Sequence, residues 1–182
     1  MTCIEPLQPE DVHDPELAAL IGRCRRLGVP DAVFPGILAH VPAYAKALLN
    51  AMLLSHTGGG VDHRLKEIIR IQLTRRSGDA YFAGLRSVEA LKGGLDAATF
   101  KDGCDDYERS PRFSAAEKWA LRYADQMYMN PASVDADFYA GLKQHYSEAQ
   151  IMELGAFIAL HYGMQVFMRT LGTPGGQQTG GR

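Results

Sequence analysis

The stretch RLKEIIRIQLTRRSGDAYFAGLRSVEALKGG, residues 64–94, decides the fold. Leu65, Ile68, Ile69 and Leu73 recur at helical spacing between charged residues, which predicts a helix from about His63 to Arg76. Ser77-Gly78 breaks that pattern. A second helical run follows from Asp79 to Lys92 and stops at Gly93-Gly94. Neither half alternates with a period of two, so both read as helices and not as strands.

The same reading extends outward in both directions. Asp14 before Pro15 is an N-cap with proline at the first helical position, and Gly28 and Pro30 close the helix they open. Pro35 interrupts the next piece, and Ala43 to His56 is helical until Gly58-Gly59-Gly60 stops it. A short helix is expected near Asp96 to Asp102. Ser114 with Glu117, and Ser147 with Gln150, are capping boxes that open helices reaching Met129 and Leu171, with Val134 to His145 helical between them. The predicted class is all-α, one domain over residues 1–172, followed by a flexible tail at 173–182 rich in glycine. On the last helix, Met152, Leu154, Phe157, Ile158, Tyr162, Val166 and Phe167 fall all round the cylinder. That pattern predicts a helix at the centre of the core or shared between subunits, hence a homo-oligomer.

With 182 residues, 46% of them hydrophobic and 22% charged, the chain is long enough to bury a core without disulfides or a structural metal. A formal net charge of −2 offers no electrostatic case for nucleic acid or an anionic membrane. The start, Met1 to Asp14, is acidic and lacks a basic-then-apolar signal pattern, and the uncharged stretch Leu154 to Met168 is short for a membrane span, so a cytoplasmic protein is expected. Cys3, Cys24 and Cys104 are isolated, with no C-x-x-C spacing, and the six histidines form no metal-binding pattern. Neither a metal nor another cofactor is expected.

The segment Arg64 to Gly94, together with Tyr123-Ala124-Asp125 and the closing Thr170-Leu171-Gly172, resembles the carboxymuconolactone decarboxylase and alkylhydroperoxidase D family, in its peroxidase-related branch. The resemblance implies a helical bundle. It also implies a site, because redox members carry a glutamate ahead of a C-x-x-C-x-x-x-H motif and cycle the two thiols through a disulfide. Glu67 matches the glutamate, Asp79 and Phe82 stand at the cysteine positions, and Arg86 stands at the histidine position. A peroxidase of this type needs a thiolate, and these positions supply none.

Read as a continuous helix, the run 79–92 puts Asp79, Phe82, Ala83, Arg86, Ala90 and Gly93 on one face. Arg86 would then anchor a carboxylate and Asp79 would polarise it, although an aspartate there also serves as a plain helix cap. By spacing alone Glu67 is a solvated residue paired with Arg70, and the resemblance raises it to a candidate base. His161 stands out on the apolar last helix, as a satisfied core histidine or as a pocket acid or base. Tyr81, Phe82 and His63 are candidates for contacting substrate. The expected function is a cofactor-independent, non-redox lyase or decarboxylase on a small carboxylate or lactone, with Glu67, Asp79, Arg86 and His161 around an apolar pocket. The alternatives are a non-catalytic ligand-binding or scaffold oligomer, and a thiol peroxidase using Cys24 or Cys104.

Overall fold

A computed structural model describes residues 3–28 and 33–172, except the side chains of Ala80 and Tyr81. The tail at 173–182 and Pro30 therefore lie outside the described residues. Ten α-helices follow one another with no strand among the described residues: α1 (Pro15–Leu27), α2 (Phe34–Leu38), α3 (Pro42–Thr57), α4 (His63–Arg76), α5 (Ala80–Gly84), α6 (Val88–Lys92), α7 (Ala97–Asp105), α8 (Ala115–Met129), α9 (Ala136–Leu142) and α10 (Glu148–Thr170). Their ends follow the local chemistry. Asp14 accepts from the Leu17 amide, Gly28 ends α1 in the left-handed region at φ 65°, and both capping boxes close as expected at α8 and α10.

Helix α4 runs through the middle, packed by α3, α5, α7, α8 and α10. Every residue from Leu65 to Thr74 is buried. On one side Ile68, Ile69 and Leu73 join Phe100, Leu121, Leu154 and Phe157 in a core cluster. A second cluster, from α1, α2, α3, Phe82 and the end of α10, closes the other side. A helix buried all round must satisfy its polar side chains internally, so the solvated position expected for Glu67 does not exist.

Lys66 shows how this is done at the start of α4. Its fully buried ammonium donates to the Ser55 and Gly58 carbonyls at 2.9 and 2.6 Å and pairs with Glu153. Glu153 in turn accepts from the Gly60 and Val61 amides at 2.7 and 3.3 Å. Gly59 sits between them at φ 87°, where a Cβ would run into the Glu153 carboxylate.

One further expectation changes, and one narrows. The run from Asp79 to Lys92 is two short helices, because Leu85 and Ser87 are extended (ψ 150° and 129°) and Ser87 caps α6. The face shared by Asp79, Phe82 and Arg86 is therefore not formed. Helix α10 buries one stripe (Ile151, Leu154, Phe157, Ile158, His161, Gln165, Met168) and leaves Met152, Tyr162, Val166 and Phe167 exposed. By length and composition α10 could cross a membrane, but that buried stripe packs on α3, α4 and α8 as a core helix does.

Candidate functional site

The break between α5 and α6 organises the site, because it frees backbone groups that α4 then captures. Arg70 donates through Nη1 to the Phe82 carbonyl at 2.9 Å and through Nη2 to the Leu85 carbonyl at 2.8 Å. Its Nε and Nη2 grip both oxygens of Glu67, each at 2.8 Å. Glu67 also accepts from the Ser87 amide at 2.7 Å. One turn of α4 thus pins both sides of the break.

Glu67 is completely buried. Burial raises its pKa, but the charge and hydrogen bonds of Arg70, with help from His56, outweigh that and hold the carboxyl below the usual range. A carboxylate so stabilised is a poor proton acceptor. Its place is structural: it neutralises Arg70 and aims the guanidinium.

Three histidines gather beside this pair. His56 Nε2 lies 3.2 Å from Glu67, although neither ring nitrogen makes a well-directed hydrogen bond. Burial pushes the His56 pKa down to about 4 against the pull of Glu67, so the ring is neutral at pH 7. His63 meets His56 edge-on at 4.4 Å, places Nδ1 2.6 Å from the His56 carbonyl and places Nε2 2.7 Å from the Ser87 hydroxyl. The carbonyl can only accept, so Nδ1 donates to it, while Nε2 exchanges a hydrogen bond with the hydroxyl. His161 packs at a tilt of 38° against Phe157, with ring centroids 4.1 Å apart, and lies 5.6 Å from His56. Burial is the main reason its pKa falls well below the usual value, and His56 and Arg70 push in the same direction.

Arg70, His161 and Gln165 form the polar edge of a small cavity of about 30 Å³. Phe34, Met52, Phe82, Leu85, Met164 and Met168 form its apolar wall. The Gln165 amide donates to the Arg70 carbonyl at 3.4 Å, while its Oε1 has no hydrogen-bond partner among the described residues. As it stands the cavity admits one or two waters. Three of its walls are methionines, whose unbranched thioether chains adapt most readily to a larger guest.

The structure therefore brings together Phe82 and His161 from the expected site, with Glu67 directly behind Arg70. Arg86 is elsewhere: its guanidinium lies over the Phe100 ring at 4.4 Å, in a separate cleft. Asp79 is the N-cap of α5, accepting from the Phe82 amide at 3.0 Å, and takes no part in the cavity wall. His63 supports His56 and Ser87 outside the cavity. The Tyr81 side chain is outside the described residues. Arg70, Gln165 and His56 were missed by sequence reasoning. Arg70 carried a usable signal, because an arginine three residues after a glutamate on a central helix must share its burial.

No cysteine lines this cavity. Cys3 is exposed, while Cys24 and Cys104 are buried. Burial raises both internal thiols, Cys24 to about 11, so neither is a thiolate at pH 7.

No protein-family model matches the sequence, and no curated protein matches it. Solved structures do. The debrominase Bmp8, as a cysteine-to-alanine variant in complex with 2,3,4-tribromopyrrole, superposes with a TM-score of 0.77 at 20% identity over 96% of this chain and 92% of its own. An uncharacterized peroxidase-related protein from Ralstonia eutropha JMP134, described as an alkylhydroperoxidase AhpD core, matches with a TM-score of 0.76 at 14% identity over 97% and 93%. A peroxidase-related protein from Silicibacter sp. TM1040 matches with a TM-score of 0.76 at 14% identity over 97% and 95%. At such identities what is shared is the fold.

Proposed function

On the premise that the chain has the alkylhydroperoxidase D-like fold, we propose that it is a cofactor-independent, non-thiol enzyme that moves a proton on a small ring-sized carbonyl compound, of the lactone or organic-acid class. This is lyase or decarboxylase chemistry in the broad sense. The observation that carries the reading is the neutral His161 imidazole set in an apolar cavity beside Arg70. Arg70 spends four of its five N–H donors on Glu67, Phe82 and Leu85, which leaves one Nη1 proton for a ligand. That proton suits a carbonyl oxygen gaining negative charge, and His161, uncharged though made less basic by its burial, is the group proposed to take the proton on the adjacent carbon. Because Glu67 already neutralises Arg70, a neutral lactone fits better than a full carboxylate. Bmp8, of the same fold, was solved with a halogenated pyrrole, which makes flat single rings the first class to try.

The test is hydrogen–deuterium exchange at the carbon next to the carbonyl of simple lactones, followed by NMR, beside binding measured by chemical-shift titration. Wild type is expected to bind and exchange. His161→Gln is expected to lose exchange and keep affinity within a few-fold. Equal exchange in both proteins, or no binding by wild type, would sink the reading. Binding without exchange would leave the second reading, a non-catalytic ligand carrier, which the fully satisfied Glu67 favours. A thiol peroxidase has no support in the raised pKa values of Cys24 and Cys104.

The same proposal includes a homo-oligomer and a cytoplasmic location. Exposed Met152, Tyr162, Val166 and Phe167 on α10, with Tyr44 and Leu54 on α3, support the first. The unpaired thiols Cys24 and Cys104 are in keeping with the second. Sedimentation equilibrium showing only monomer would remove the oligomer from the proposal.

A further inference from the structure

The cleft on the far side of the α5–α6 break carries a charge pattern that the reading above does not use. Arg75, Arg86 and Lys101 converge there over Ile71, Leu95 and Phe100, around a cavity of about 210 Å³. Arg75 and Lys101 share one carboxylate, Asp105, at 2.7 and 3.2 Å. Arg86 pairs with no carboxylate among the described residues. Its Nη1 is occupied twice, by the Ala83 and Leu85 carbonyls at 2.5 and 2.7 Å, and its plane is fixed by the Phe100 ring 4.4 Å away. The Nε and Nη2 protons donate to no described residue. They form the edge of a guanidinium that receives a carboxylate through two parallel hydrogen bonds. This arginine is thus half-buried, held rigid from one side, and without a partner among the described residues on its bidentate side.

We propose that this cleft binds a small organic carboxylate with a flat apolar body, the carboxylate on the Nε–Nη2 edge of Arg86 and the body against Leu95 and Phe100. Two more cations against one carboxylate give the cleft a positive field that draws the anion in. Its volume is below the roughly 300–1,000 Å³ of drug-sized pockets, which sets the guest at about one ring. The site is separate from the Arg70–His161 cavity, and the two stand or fall independently.

Benzoate, inorganic phosphate and benzyl alcohol test it on the full chain by calorimetric titration. Benzoate is expected to bind saturably, with phosphate (charge without a ring) and benzyl alcohol (ring without a charge) each about tenfold weaker or more. Arg86→Gln is expected to weaken benzoate about tenfold or more, while His161→Gln leaves it unchanged. No saturable benzoate binding, phosphate or benzyl alcohol binding as tightly as benzoate, or benzoate affinity lost in His161→Gln and kept in Arg86→Gln, would each overturn the proposal. If Arg86→Gln does not fold, Lys101→Glu, at an exposed side chain, replaces it. Weaker, more salt-sensitive benzoate binding supports the site, and unchanged affinity refutes it.

Discussion

Replacing Glu67 with glutamine keeps the shape of the side chain and removes its charge. In the native fold that charge is fully buried, held by two 2.8 Å hydrogen bonds from Arg70 and one 2.7 Å bond from the Ser87 amide. Glutamine can still accept from Ser87, but the buried Arg70 cation loses its counter-ion. Breaking one side of such a pair costs about 3–5 kcal/mol, against a total stability on the order of 5–15 kcal/mol for a domain. Urea unfolding at pH 7 measures it: the midpoint should fall by about 1–3 M with the slope unchanged. The double variant Glu67→Leu with Arg70→Met removes both charges and should cost clearly less than the sum of the two single changes. A loss below about 1 kcal/mol for Glu67→Gln would mean that water reaches the pair and that the break is not held as described.

Three further outcomes follow from the same geometry. His56 titrates at about 6.5 when unfolded and about 4 when folded, so between those values the unfolded chain binds the extra proton. Stability is then full above pH 6.5 and declines as pH falls toward 4, by about 2 kcal/mol at pH 5 from His56 alone. His161 adds to the loss, and a flat urea midpoint between pH 7 and 5 would contradict both assignments. Toward an aromatic disulfide reagent, Cys3 should react at once and Cys24 and Cys104 only on unfolding; a second fast thiol would refute their burial. Asp79→Ala should cost about 1 kcal/mol, as loss of a cap does, and leave ligand binding at His161 unchanged; a collapse of binding would return Asp79 to the site.

The helices were legible because their ends are written in short-range chemistry. Asp14, Ser114 with Glu117, and Ser147 with Gln150 each cap the helix that they open. The break at residues 85–87 was not, since Leu85-Arg86-Ser87 contains neither glycine nor proline. It is imposed from outside, by Arg70 drawing on the Phe82 and Leu85 carbonyls and by Glu67 drawing on the Ser87 amide. The local hints were Gly84, the last residue of α5, and Ser87, a residue that caps helices. The misplacement of Arg86 follows directly from reading through that break. Phe82 and His161, which line the cavity, could be singled out because an aromatic at a position of the resemblance and a histidine on an apolar helix are visible in one dimension. Arg70 and Gln165 reach the cavity through tertiary packing, which spacing does not encode.

The hold of α4 on the break has a consequence for how such chains diverge. Glu67 and Arg70 recognise a carbonyl of residue 82, a carbonyl of residue 85 and an amide of residue 87, and every amino acid but proline offers that amide. The side chains at those positions are therefore released from the task of keeping the architecture. An aspartate at 79 and a phenylalanine at 82 leave the grip intact. A grip on main-chain groups tolerates substitution at the positions it holds, so two residues on one helix turn set the backbone path and the captured side chains do not.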